Sequence, residues 1–260
     1  GIVVVGTTGE SATINVAEHV QIIEQSVEHA DNRIPIIAGT GANSTKEAIY
    51  LTAAAKQAGA FAALLVTPYY NRPTQQGLIE HYSEIASEID LPQILYNVPS
   101  RTGCDLLPET VSKLASKKNI VGLKEAFPDL SRLNKLKEEL VKFIDEESFF
   151  LYSGDDLTST EFLIKGGQGV ISVSANIVPE RIAKIFTLVM QGSVKDARKY
   201  DSELRSLHED LFIESSPIPV KWTLNKLGRI PLGIRLPLTP LSLEYHGKIE
   251  KTLRKLGLIE

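Results

Sequence analysis

Asn119-Ile120-Val121-Gly122-Leu123-Lys124-Glu125 is an apolar run that ends on a lysine. Its length and composition predict a buried strand, because parallel strands covered on both faces read as near-continuous Val, Ile and Leu. An ammonium group is costly to bury, since leaving water disfavours its charged form. A lysine at the end of such a run is either snorkelling to solvent or present as a reactive amine. Its company favours the amine. The preceding strand candidate closes with Tyr96-Asn-Val-Pro-Ser-Arg-Thr-Gly103, and Ile2-Val-Val-Val5 runs straight into Gly6-Thr-Thr-Gly-Glu10. Polar, chemically able residues follow the ends of several apolar runs, the pattern of a barrel enzyme with its active site at one rim.

Working outward, Val/Ile/Leu-rich strand candidates lie at 2–6, 34–38, 61–66, 92–96, 120–124, 149–152 and 168–172. Helix candidates alternate with them at 15–29, 45–58, 75–89, 108–117, 129–143 and 156–165, followed by 178–191. Most strand starts are about 30 residues apart, the length of a βα unit. Ser44-Thr-Lys-Glu47 predicts a capping box, Gly59 a helix C-cap and Pro108 a helix start. Alternating β and α elements imply a parallel sheet with right-handed crossovers. The seven βα units favour an α/β fold of the TIM (β/α)8 type with its first βα unit absent. A Rossmann sheet would want GxGxxG after the first strand, which Gly6-Thr-Thr-Gly-Glu10 does not supply. Gly166-Gly-Gln-Gly169 precedes a strand, the wrong side for a phosphate cradle, and reads as a tight turn. Beyond 191 the pattern is purely helical, at 193–212, 217–228 and 239–257. The expected division is a barrel over 1–191 and a helical region over 192–260.

At 260 residues and 43% hydrophobic content, the chain is ample for one large core. A net charge of −4 gives no electrostatic case for nucleic acid or an anionic membrane. No apolar stretch approaches the ~20 residues of a membrane helix. The single cysteine excludes an internal disulfide and a cysteine-built metal cluster, which suits a reducing cytoplasm. The five histidines show no HxH or HExxH spacing, so no metal is expected.

In a parallel barrel the C-terminal strand ends converge on one face. Reading only those positions collects Thr7, Thr8, Tyr69, Tyr70, Tyr96, Arg101, Lys124, Gly154 and Ile171. A desolvated lysine amine attacks a ketone to form a Schiff base, and the iminium is an electron sink. Tyrosine and threonine hydroxyls relay protons, and an arginine fork holds a carboxylate. Each residue alone also has a plainer reading. Thr7 and Thr8 can satisfy turn amides, Tyr69 and Tyr70 can be interface aromatics, Tyr96 can be core, and Arg101 can be a solvated charge. Glu47 can be only the capping acid and Cys104 a small filler. Lysine, tyrosine and arginine at neighbouring strand ends are harder to dismiss together.

Gly6-Thr-Thr-Gly-Glu-Ser11, Gly39-Thr-Gly-Ala-Asn-Ser44, Thr67-Pro-Tyr-Tyr70, Tyr96-Asn-Val-Pro-Ser-Arg-Thr-Gly103, Gly122-Leu-Lys-Glu125, Ser153-Gly-Asp-Asp156 and Gly169-Val-Ile-Ser172 occur in that order. Together they closely resemble the dihydrodipicolinate synthase family, within the wider N-acetylneuraminate lyase family of pyruvate-dependent aldolases. The resemblance runs from Gly1 to about Leu241. It implies condensation of pyruvate with L-aspartate 4-semialdehyde to 4-hydroxy-tetrahydrodipicolinate, the first committed step towards lysine and diaminopimelate, without a cofactor. It assigns the Schiff base to Lys124 and the pyruvate carboxylate to Thr8 with the Thr7 amide. Tyr96, Thr7 and Tyr70 match the proton relay, with Tyr70 supplied across a dimer interface. Arg101 matches the semialdehyde-carboxylate receptor, and Gly154 and Ile171 match backbone contacts.

The resemblance also maps a lysine-feedback pocket onto Ser11, Ala12, His19, Asn43, Glu47 and Tyr69. Val16 departs there, since several lysine-sensitive members carry a basic residue, which implies weaker feedback. It further implies a homo-oligomer, a dimer or dimer of dimers, and one βα unit preceding the point that corresponds to Gly1. Two other readings share parts of this set. A sugar-acid aldolase would use the same Lys and Tyr chemistry but has less use for Arg101, and an inactive homologue would only bind ligand or a partner.

Overall fold

The structure, a computed structural model, describes residues 1–260. Seven strands form one sheet: β1 (Ile2–Val4), β2 (Ile36–Gly39), β3 (Ala62–Val66), β4 (Gln93–Asn97), β5 (Ile120–Glu125), β6 (Phe150–Ser153) and β7 (Gly169–Val170). They pair in sequence order, every pair parallel, so β1 and β7 each have a single neighbour. Eleven α-helices accompany them: α1 (Val16–Ala30), α2 (Thr45–Ala58), α3 (Gln75–Glu88), α4 (Pro99–Thr102), α5 (Pro108–Ala115), α6 (Ser131–Asp145), α7 (Ser159–Ile164), α8 (Pro179–Met190), α9 (Val194–Asp210), α10 (Ile218–Lys226) and α11 (Leu243–Lys255).

The chain divides into two compact units. The first comprises Gly1–Gly6, Ile14–Asp155 and Gly167–Ile171, and holds the whole sheet with α1 to α6. The outward strand faces and the helices bury Ile23, Leu51, Leu65, Leu78, Leu95, Leu114, Leu123, Leu133 and Leu136, which explains the run-like strand sequences. On the other face, Leu64, Ile94, Tyr96 and Val98 cluster with Val3, Ile37, Val66, Tyr152 and Ile171. The second unit comprises Thr7–Thr13, Asp156–Gly166 and Ser172–Glu260. Its core lies where α9 packs on α8 and α11, burying Ala197, Leu204, Leu207, Ile249 and Leu253. No helix is long and apolar enough to cross a membrane.

Element boundaries depart from expectation where local backbone rules intervene. β1 stops at Val4 because Val5 takes a left-handed φ of 46°. α11 begins at Leu243 rather than 239, because Thr239 precedes Pro240 and is disfavoured from helix. Gly59 caps α2 with φ 87°, and Pro108 opens α5, both as expected. The capping box at Ser44 does not form: Ser44 makes no side-chain cap bond. A complete box closes α1 instead, where Asn15 accepts from the Glu18 amide at 2.9 Å and Glu18 accepts from the Asn15 amide at 3.0 Å.

Candidate active site

Lys124 and Tyr96 are register partners at the C-terminal ends of adjacent strands, and side chains opposite each other in a sheet share a face. The Lys124 Nζ lies 4.2 Å from the centroid of the buried Tyr96 ring, within cation–π range. Lys124 is itself half-buried. The next strand closes the space on the other side. A Cβ on Gly154 would stand 2.8 Å from Lys124 Cε and 3.0 Å from Ala126 Cβ, so a side chain there would have to displace the lysine stem. The Gly154 amide donates to the Glu125 carbonyl at 2.7 Å, and the Ile171 amide to the Ser153 carbonyl at 2.8 Å. Lys124, Tyr96, Gly154 and Ile171 are thus carried on four successive strand ends of one unit.

Arg101 stands exposed on α4, whose first turn is closed by the Arg101 amide donating to the Val98 carbonyl at 2.9 Å. Tyr70 is 91% exposed and sits at a φ of 75°, held by its amide donating to the Thr102 carbonyl at 3.4 Å. A large aromatic in that backbone region is strained, and its side chain is left exposed.

The residues expected to bind lysine are divided between the two units. In the first, His19 Nε2 bonds the Gly39 carbonyl at 2.7 Å, and Asn43 Nδ2 donates to the Tyr69 carbonyl at 3.3 Å. Burial holds the His19 imidazole below its ordinary value, against the Gly39 bond and Glu47, which pull it up. Burial and the Glu47 charge both push the Tyr69 phenol up. Glu47 is exposed at the start of α2.

In the second unit, Thr7, Thr8, Ser11 and Ala12 lie in two short 3-10 turns, Thr7–Gly9 and Ser11–Thr13. Glu10 joins the turns at a φ of 58°. Its carboxylate pairs with Lys221 of α10 and accepts the Arg235 amide at 2.8 Å, while its own amide donates to the Thr7 carbonyl at 3.1 Å. Burial pushes that carboxyl up, but the Arg235 amide and the Lys221 charge together hold it below the ordinary value. Ser174 Oγ lies 2.7 Å from His208 Nδ1, and His208 Nε2 lies 3.9 Å from Asp201, yet Ser174 is fully buried. That arrangement cannot meet a substrate as it stands.

Sequence reasoning overlooked Asn97 and Glu125, the successors of Tyr96 and Lys124, and with them Asp105 and Arg132. Both strand residues are buried and joined side chain to side chain at 3.1 Å. A carboxylate directly after an apolar strand was the available signal.

A half-buried lysine against a tyrosine, at the strand ends of a parallel β/α sheet, is the arrangement of a Schiff-base-forming aldolase. The chain belongs to the Dihydrodipicolinate synthetase family, whose profile matches residues 1–256. It is 52% identical over 258 residues to the 4-hydroxy-tetrahydrodipicolinate synthase of Pseudomonas aeruginosa, covering 99% of this chain and 87% of that one. The crystal structure of a chloride-inhibited dihydrodipicolinate synthase from Acinetobacter baumannii, complexed with pyruvate, is similar at a TM-score of 0.95 and 49% identity. That match covers 99% of this chain and 87% of the other. A dihydrodipicolinate synthase from Cyanidioschyzon merolae with lysine bound is similar at a TM-score of 0.94 and 37% identity, covering 99% and 86% of the two chains.

Proposed function

We propose that this chain is a lyase of the class I aldolase type, a 4-hydroxy-tetrahydrodipicolinate synthase in lysine and diaminopimelate biosynthesis. The observation that carries the reading is Lys124 Nζ lying 4.2 Å from the Tyr96 ring at neighbouring strand ends. The similarity to synthases along nearly the whole chain supports the same reaction.

The Lys124 amine attacks the pyruvate ketone and expels water, leaving an iminium. Loss of a methyl proton gives an enamine, whose carbon attacks the aldehyde carbon of L-aspartate 4-semialdehyde while the aldehyde oxygen takes a proton. The amine of the condensed product then attacks the iminium carbon, closing the ring and freeing Lys124. Thr8 and the Thr7 amide hold the pyruvate carboxylate. Tyr96, Thr7 and the Tyr70 of a second copy relay protons, Arg101 takes the semialdehyde carboxylate, and the Gly154 and Ile171 backbones line the floor. A second copy is favoured by the strained, 91% exposed Tyr70, which makes the working unit a dimer or dimer of dimers.

Lysine acts as an inhibitor at Ser11, Ala12, His19, Asn43, Glu47 and Tyr69, weakly because Val16 offers no polar contact. The enzyme works in the cytoplasm without metal or organic cofactor. The seven strands are the last seven of an eight-stranded barrel, with the remaining βα unit joining β7 to β1. Catalysis belongs to 1–191, and 192–260 supports it.

Borohydride reduction in the presence of pyruvate, followed by peptide mapping, tests the reading. Pyruvate is expected on Lys124 alone. A label on another lysine, or undiminished labelling of Lys124→Arg, sinks the assignment.

A further inference from the structure

The strand ends that carry Lys124 and Tyr96 turn their next residues to the opposite face, where a buried polar network gathers. Asn97 and Glu125 are register partners there. Asn97 Nδ2 donates to both Glu125 oxygens at 3.1 Å and to Asp105 Oδ1 at 2.9 Å, while Asn97 Oδ1 accepts the Leu106 amide at 3.0 Å. Arg132, at the start of α6, completes the ring. Its Nε donates to Glu125 at 2.7 Å, its Nη1 and Nη2 reach the two Asp105 oxygens at 3.0 and 2.9 Å, and Nη2 also donates to the Leu106 carbonyl at 2.5 Å. The Phe127 amide adds a bond to Glu125 at 2.9 Å.

Stability is a poor reason for this arrangement. A strand face covered by helices is as well served by packed leucines, and taking an ion pair out of water costs about what the pairing returns. What the network does is geometric. The segment 98–104 bears Arg101, and both its feet are fixed by one side chain: Asn97 is the near foot and bonds the far foot at Asp105 and Leu106. Glu125 then ties that staple to the strand of Lys124, and the planar Arg132 fork sets the spacing in two directions.

We propose that Asn97, Asp105, Glu125 and Arg132 form a positioning assembly that sets the Arg101 segment relative to Lys124, and so the distance between the two substrates. None of the four touches substrate. The inference rests on the roles given above to Lys124 and Arg101. It predicts an asymmetry: both carboxylates bond Asn97 and Arg132, but Asp105 sits at the far foot of the arginine segment, whereas Glu125 sits on the strand of Lys124 itself.

Steady-state kinetics with each substrate varied separately, together with borohydride trapping and melting temperature, test it on the intact protein. Asp105→Asn should raise KM for aspartate semialdehyde about tenfold or more, the scale expected when a carboxylate receptor is displaced by a fraction of an ångström. KM for pyruvate and trapping on Lys124 should stay within about twofold. Arg132→Lys, which keeps the charge but loses the fork to both carboxylates, and Glu125→Gln should impair trapping as well. The proposal is overturned if Asp105→Asn raises both KM values equally, if losses simply follow melting temperature, or if the kinetics do not change. If Asp105→Asn fails to fold, Asp105→Glu, which keeps the charge and moves the far foot, carries the same comparison. Failure of the wild-type protein to trap pyruvate on Lys124, or a normal Arg101→Ala variant, would instead refute the substrate roles beneath it.

Discussion

Lys124 is kept in place by what its neighbours lack as much as by what they offer. Gly154 leaves open the space that the lysine stem fills, with an added Cβ only 2.8 Å from Cε. Gly154→Ala should therefore force the amine off its line over Tyr96. Pyruvate trapping is expected to fall about a hundredfold, the cost of a misplacement near 1 Å, while far-ultraviolet circular dichroism stays unchanged. Normal trapping would mean that the lysine stem moves aside freely. Arg101→Ala tests the other substrate. Removing a charge-assisted receptor should cost about 2–4 kcal/mol, roughly 30- to 1000-fold in turnover, with the pyruvate adduct preserved. Lys124, Tyr96 and Arg101 were legible because each closes or follows an apolar run. Asn97, Asp105, Glu125 and Arg132 were not, because sequence shows a polar residue after a strand without showing which partners the turn beyond brings back to it.

At the scale of elements, the turns over residues 7–13 have little of their own to hold them. No residue of either 3-10 turn is buried, and Glu10 between them occupies the left-handed region. Their fixed points are the Lys221 ion pair and the Arg235 amide. Glu10→Gln keeps an acceptor for the amide and leaves the partly buried Lys221 ammonium unpaired. Destabilisation by about 1–3 kcal/mol and a higher KM for pyruvate are expected, read by urea denaturation and initial rates. The carboxyl is held below its unfolded value, so its contribution is complete above that value and fades as pH falls through the folded one. An unchanged KM would separate the Glu10 clamp from the threonines. Helix ends show the limit of motif reading at this scale. Ser44-x-x-Glu47 and Asn15-x-x-Glu18 both fit the capping-box pattern, yet only the second closes. The neighbours of Ser44 are engaged at long range instead, Thr45 Oγ1 on His81 Nδ1 at 2.9 Å and the Asn43 side chain on the Tyr69 carbonyl. Such partners are invisible in a local window.

For the molecule as a whole, the order and type of the barrel elements follow from hydrophobic period and punctuation, while buried titrating groups add a property that no pattern announced. His81 on α3 is buried, its Nδ1 against Thr45 and its Nε2 without a partner. Burial lowers its imidazole from 6.5 to about 4. Between those values the unfolded chain binds a proton that the folded protein refuses, so stability must fall as pH falls from 6.5 and level off near 4. The full loss from this one residue is about 3 kcal/mol, a large part of a typical folding free energy. Glu10 adds a loss in the same direction. Glu125 and Asp201, whose carboxyls are raised chiefly by burial, take up protons more readily folded than unfolded and work against it. His19 starts from the same unfolded value and is also lowered by burial, so the two histidines together make the first descent below neutrality. Folding free energies from urea titrations at a series of pH values should show that descent in the wild-type protein. His81→Gln should make it shallower, leaving the His19 part, whatever the variant does to stability at pH 8. A descent of equal slope in the variant would assign the proton to another group.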